Sequence, residues 1–68
     1  MTLRMGQVKW FDQGQGFGWI SPIDGSSDVF VNRSSIATST KSLTEGQNVE
    51  FSTFKSSRGL SATDVIAF

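Results

Sequence analysis

Gly16-Phe17-Gly18-Trp19-Ile20 and Asp28-Val29-Phe30-Val31-Asn32 are the two runs that decide the fold. Between them lies Pro22-Ile23-Asp24-Gly25. Proline presets φ and Asp-Gly tolerates positive φ, so this segment reads as a turn joining two strands. Side chains in a strand alternate between faces. Val29 and Val31 therefore share one face, and Phe30 and Asn32 take the other. β-Branched aliphatics suit an interior, which places Phe30 outside. In the first run Ile20 is the natural core residue. Gly16 and Gly18 share its face, and Phe17 and Trp19 lie opposite. The reverse assignment buries three or four large rings in a very small core and leaves Val29 and Val31 in water.

The rest of the chain repeats this rhythm. Val8 to Phe11 reads as a preceding strand, ended by Asp12-Gln13-Gly14. If Val8 faces inward, strict alternation places Trp10 with it and Phe11 outside. A bulge or strong twist would instead rotate Trp10 outward. Alternation alone leaves that point open. After Asn32, Ser34 is placed to cap one helical turn reaching Ile36. The Ser/Thr-rich stretch through Thr38-Ser39-Thr40 reads as a mobile loop. Glu45-Gly46 is a turn before a fourth strand, Asn48 to Phe54, in which Val49, Phe51 and Thr53 face inward. Ser56-Ser57-Arg58-Gly59 turns into a fifth, Ser61 to Ala67, where Val65 and Ala67 share a face. Five short strands with one long connection point to an all-β closed barrel, which also removes exposed sheet edges. No segment holds helical periodicity.

Composition limits the function classes. The 68 residues allow one small domain, spanning 1–68 without a composition break, repeat or linker. There is no Cys and no His, so disulfides are impossible and a structural zinc site lacks ligands. The same absence removes the commonest nucleophile and general base, so no catalytic residues are expected. No cofactor is expected either. Asp12, Asp24, Asp28, Glu45, Glu50 and Asp64 are scattered over turns and strand ends, with no dyad among them. Gly14-Gln15-Gly16-Phe17-Gly18 has neither the spacing of a phosphate-cradling loop nor a following helix to supply amides. No apolar run spans a bilayer, and Met1 to Gly6 lacks the apolar core of a signal peptide, so a cytoplasmic protein without a membrane partner is expected.

Six Lys and Arg balance six Asp and Glu. A nucleic-acid partner usually shows first as a basic excess. Here the sign is instead a patch of outward rings, Phe17, Trp19 and Phe30, with Lys9 and Arg33 near its rim and Arg58 in the last turn. Exposed apolar patches mark binding sites. Rings interleaved with cations suit single strands, whose bases stack on the rings while cations track the phosphates. A competing reading is a protein-interaction or self-associating barrel, with the Ser/Thr loop allowing a strand-exchanged dimer. A monomer is the simpler expectation.

Val8-Lys9-Trp10-Phe11-Asp12, Gly16-Phe17-Gly18-Trp19-Ile20, Asp28-Val29-Phe30-Val31-Asn32, Leu43-Thr44-Glu45-Gly46-Gln47 and Ser61-Ala62-Thr63-Asp64-Val65-Ile66-Ala67 together resemble the bacterial cold-shock proteins. The resemblance covers essentially the whole chain. It implies a five-stranded antiparallel Greek-key barrel of the OB-fold type. It also implies binding of single-stranded RNA and single-stranded DNA, and action as an RNA chaperone that melts weak secondary structure. Some relatives respond to cold and some act as transcription antiterminators. Carried over by position, the contacts are Lys9, Trp10, Phe17, Trp19, Phe30, Asn32, Arg33 and Arg58, which places Trp10 on the binding face. Three departures stand out. The family's Lys-Gly-Phe-Gly-Phe is Gln15-Gly16-Phe17-Gly18-Trp19, which loses a cation and enlarges a ring. Its Val-Phe-Val-His-Phe is Val29-Phe30-Val31-Asn32-Arg33, which exchanges two stacking rings for an amide and a guanidinium. The long loop carries Ser39, Thr40 and Lys41 where many relatives have a Phe. Fewer stacking positions and weaker binding are expected.

Overall fold

The computed structural model describes residues 3–39 and 41–68. The loop reading at Thr40 and the leader reading at Met1 and Thr2 lie outside them. Five strands follow in order: β1 (Arg4–Asp12), β2 (Phe17–Pro22), β3 (Val29–Asn32), β4 (Asn48–Ser56) and β5 (Gly59–Ala67). They close into a barrel in the order β1-β2-β3-β5-β4. The β1–β2, β2–β3, β1–β4 and β4–β5 pairings are antiparallel. The seam between β3 and β5 is parallel and is made at Phe30↔Ser61.

Val8, Ile20, Val29, Val31, Val49, Phe51 and Val65 fill the interior, each at most 2% exposed. Alternation thus assigns the valines of β3 correctly, and Phe30 does not join the core cluster. Thr53 faces core residue Ala62 across the β4–β5 ladder and is half-buried. At Asp64 the ladder slips: Glu50 pairs Ile66, but Ser52 pairs Thr63. Two β5 residues, Asp64 and Val65, oppose Phe51. Asp64 absorbs the bulge at φ 53, a conformation short polar side chains tolerate.

The turns follow the local chemistry of the chain, with three corrections. Gly25 takes φ 83 and its amide bonds the Pro22 carbonyl at 3.2 Å. Asp24 accepts from the Ser26 hydroxyl and amide, and Arg4 lies beside it. These contacts hold its carboxyl below the usual range. Pro22 itself, however, ends β2 and is buried. Gly16, expected in the second strand, sits in the turn before it at φ 76. The helical turn is a single 3-10 turn, Arg33–Ser35, and its cap is Asn32 rather than Ser34. Asn32 Oδ1 accepts from the Ser34 amide at 3.3 Å.

The connection from β3 to β4 is anchored at both ends. Ile36 bridges to Val65, and both Ile36 and Leu43 are 1% exposed. Lys41 Nζ donates to the Ile36 carbonyl at 2.8 Å. Ile36 and Leu43, the large aliphatics that flank the Ser/Thr-rich stretch, both belong to the core cluster.

Candidate nucleic-acid interface

One break in alternation builds the site. In β1, Val8 pairs Ile20 but Trp10 pairs Trp19. Lys9 is the extra residue of a β-bulge. The bulge rotates the chain so that Val8 and Phe11 both face the core, while Lys9 and Trp10 both face out. Strict alternation would have buried Trp10 and exposed Phe11. Trp10 is instead 43% exposed.

The outward rings touch in an unbroken chain. Trp10 meets Phe17 edge-on at 5.8 Å, Phe17 stacks with Phe30 at 6.0 Å, and Phe30 meets Trp19 edge-on at 5.4 Å. These are the separations at which aromatic pairs attract one another. The Arg58 guanidinium lies over Phe30 at 4.8 Å. Phe30 is consequently covered from three sides and is only 9% exposed. It is on the outer face as expected, but as the foundation of the cluster rather than an open platform. The accessible ring surface belongs to Trp10, Phe17 and Trp19.

Gly18 makes this geometry possible. It pairs with Phe11 on one side and Val31 on the other. A Cβ there would lie 2.1 Å from the Trp10 carbonyl oxygen. Only a residue without a side chain lets β1 and β2 approach at the point where Trp10 and Trp19 are paired.

The cations are placed differently from one another. Lys9 Nζ donates to Asp28 Oδ2 at 2.8 Å. This pair lines an open cleft of about 360 Å³ together with Trp10 and Trp19. Arg33, expected near the rings, turns away from them. Its Nη2 donates to the Gln13 carbonyl, and its side chain packs against Gly16. Gly16 accepts the backbone amide of Arg33 at 2.7 Å. Arg33 therefore pins the β1–β2 turn. Asn32 joins Phe30 and Arg58 in lining a second groove of about 250 Å³. Because Oδ1 of Asn32 caps the 3-10 turn, its NH₂ group is what it offers a ligand. The structure thus gathers Trp10, Phe17, Trp19, Phe30 and Arg58 directly, sets Lys9 and Asn32 beside them, and directs Arg33 elsewhere.

Phe54 was missed. It is 48% exposed and lines the same groove as Phe30 and Arg58. The signal was present, since alternation that turns Val49, Phe51 and Thr53 inward turns Phe54 outward. Among the described residues no group of His, Cys, Asp and Glu is arranged to hold a metal ion.

Comparison with known proteins identifies the family. The family model of the "cold-shock" DNA-binding domain matches residues 4–68. The cold shock-like protein CspB of Yersinia pestis is 59% identical over 63 residues, covering 91% of this chain and 90% of that protein. The cold shock-like protein CspE of Escherichia coli K12 is 54% identical over 68 residues, covering 98% and 99%. A solved Drosophila structure, Unr CSD456, superposes with a TM-score of 0.80 at 15% identity. That match covers 98% of this chain but 27% of the solved one, and it speaks to the fold. The chain belongs to the cold-shock DNA-binding domain family and is a nucleic-acid-binding cold-shock protein. No helix among the described residues is long and apolar enough to cross a membrane.

Proposed function

We propose that the protein binds unpaired RNA and DNA through Trp10, Phe17 and Trp19, and melts weak secondary structure without ATP. The observation that carries this reading is the contiguous chain of outward rings resting on Phe30 and flanked by Arg58. Bases stack on such rings at about 1–3 kcal/mol each and need no sequence readout. Paired bases in a duplex have no free face to offer. A ligand that takes only the open strand shifts a hairpin toward opening by mass action. The same shift, acting on a terminator hairpin, is the route by which such a protein would act in antitermination. Lys9, Asn32 and Arg58 serve the backbone and base edges. Arg33 reaches a phosphate only if it leaves the Gln13 carbonyl.

The test is a titration of Trp fluorescence. Oligo-dT is expected to quench it, an equally long duplex to leave it unchanged, and a weak-stemmed hairpin to open in the same assay. With two to four cations engaged at about −0.7 per neutralised phosphate, the salt slope is expected at about −1.4 to −2.8. Absence of quenching by oligo-dT, or a slope typical of a strongly basic DNA-binding protein, contradicts the reading.

Asp28 gives a second test. It neutralises Lys9 beside the exposed tryptophans, and an exposed ion pair of this kind adds only about 0–1 kcal/mol to stability. Asp28→Asn releases Lys9 to phosphate and removes a repelling carboxylate. Affinity for oligo-dT is expected to rise about 2- to 5-fold, with the melting temperature little changed. Unchanged or weaker binding counts against Lys9 as a backbone contact.

A further inference from the structure

We propose that Phe54, with Arg58 and Ser61, forms an additional nucleotide subsite, so that a bound strand crosses all five strands of the barrel. This rests on the nucleic-acid reading above and extends it beyond the expected contacts.

The cross-strand registers place the residues in one lateral row. Trp10 pairs Trp19, Trp19 pairs Phe30, Phe30 pairs Ser61, and Ser61 pairs Phe54. The row runs β1-β2-β3-β5-β4 along the outside of the barrel. Small Ser61 is its one non-aromatic member, and the guanidinium of Arg58 stands beside that gap over Phe30. Phe54, Arg58, Phe30 and Ser61 line one groove of about 250 Å³. The Phe54 ring has no aromatic neighbour among the described residues, and Arg58 has no carboxylate partner among them.

The groove's polar chemistry is also that of a nucleotide site. Ser56 Oγ donates to the Gly59 carbonyl at 3.0 Å, which uses its single proton. In the 2.8 Å contact between the two hydroxyls, Ser61 is therefore the donor. Ser61 Oγ keeps acceptor capacity for a base N–H. A ring face, a guanidinium and a hydroxyl acceptor in one groove match a base, its phosphate and its edge. Continuity with the ring chain and the positive charge of Arg58 select a nucleic acid strand as the occupant.

The experiment measures binding of a long oligo-dT to Phe54→Ala, Phe54→Leu and Phe54→Tyr by quenching of the native tryptophans. Loss of one stacked base is expected to weaken Phe54→Ala about 5- to 150-fold. Phe54→Leu, which keeps apolar bulk without a ring, is expected to lose nearly as much. Phe54→Tyr is expected to bind like the parent. The side chain is half exposed, so melting temperatures should stay close to the parent's. Equal affinity of the parent and Phe54→Leu overturns the subsite while leaving the single-strand reading intact. Failure of the parent itself to respond to oligo-dT overturns that reading, and the subsite with it.

Discussion

Gly18→Ala is expected to unfold most of the protein at room temperature or to lower its melting temperature by about 15–30 °C. A Cβ at this position would meet the Trp10 carbonyl oxygen at 2.1 Å, the Phe11 Cα at 2.7 Å and the Phe11 ring at 3.0 Å. Two of these three atoms are backbone, and neither can swing away as the end of a side chain can. Relief requires β1 and β2 to separate where both tryptophans are paired. Overpacking a core costs about 1–3 kcal/mol when side chains can adjust. A backbone clash should exceed that, at about 3–5 kcal/mol. A chain of 68 residues has roughly 3–10 kcal/mol of stability in total at about 0.05–0.15 kcal/mol per residue. At about 4–8 °C per kcal/mol for domains this small, that cost corresponds to about 12–40 °C, a span centred on the expected shift.

Thermal melts followed by circular dichroism decide the matter. A melting temperature within 5 °C of the parent, roughly 1 kcal/mol by the same scaling, would falsify the close approach of the two strands. Gly46→Ala separates crowding from backbone strain. Nothing lies within 4 Å of a Cβ there, and only the φ of 85° is unfavourable. Its loss is expected at about 1–2 kcal/mol. Oligonucleotide binding should fall with folding in Gly18→Ala and persist in Gly46→Ala.

Gly18 also shows what a one-dimensional reading reaches. The glycine is visible as a break in an otherwise apolar run, and alternation puts it on the inward face. That a neighbouring carbonyl occupies the space of its side chain depends on strand register, which is set by contacts far apart in sequence. Trp10 is the same case. Period two places it in the core, and one extra residue at Lys9 reverses it. The Lys9 bulge leaves no mark in local composition. Resemblance to the cold-shock family turned Trp10 outward, and the register slip supplies the physical reason.

Polar side chains were less legible than apolar ones. Val29, Val31 and Ile20 have one favourable environment, the interior, and alternation finds it. Asn32 and Arg33 have several. Asn32 can cap a turn or meet a base, and in the free protein it caps the 3-10 turn. Arg33 can stack, pair with phosphate or bond a carbonyl, and it bonds the Gln13 carbonyl. Backbone acceptors are available to a long cation everywhere along a chain, so sequence proximity to the rings did not determine its partner. Phe54 is legible as an outward ring, because alternation that turns Phe51 and Thr53 inward turns it to the surface.

The double variant Asn32→His with Arg33→Phe is expected to bind oligo-dT at least 10-fold more tightly while losing stability. Asn32 ends β3 and pairs Phe17 across the ladder, and Arg33 follows it as the first residue of the 3-10 turn, from which a phenyl has no carbonyl to hold it away from the rings. An imidazole and a phenyl restore the two ring faces that the family pattern carries there. At about 1–3 kcal/mol per stacked base, full use of both adds at least about 2 kcal/mol, more than the roughly 1.4 kcal/mol of a 10-fold gain. The opposing terms are local. Removing Asn32 takes away a cap that contributes about 0.5–2 kcal/mol. Removing Arg33 frees the Gln13 carbonyl to water, a small loss at an exposed site. A melting temperature about 5–10 °C lower is expected. The introduced imidazole adds a signature that no parent residue can mimic, because the chain has no histidine. Its ordinary pKa is about 6.5. Phosphate favours the protonated ring, so binding raises that pKa, and affinity should climb as pH falls from 7.5 to 5.5. The climb should appear with Asn32→His alone and be absent with Arg33→Phe alone. A folded double variant that binds no more tightly than the parent at pH 7.5 removes the argument that stacking limits this protein's affinity.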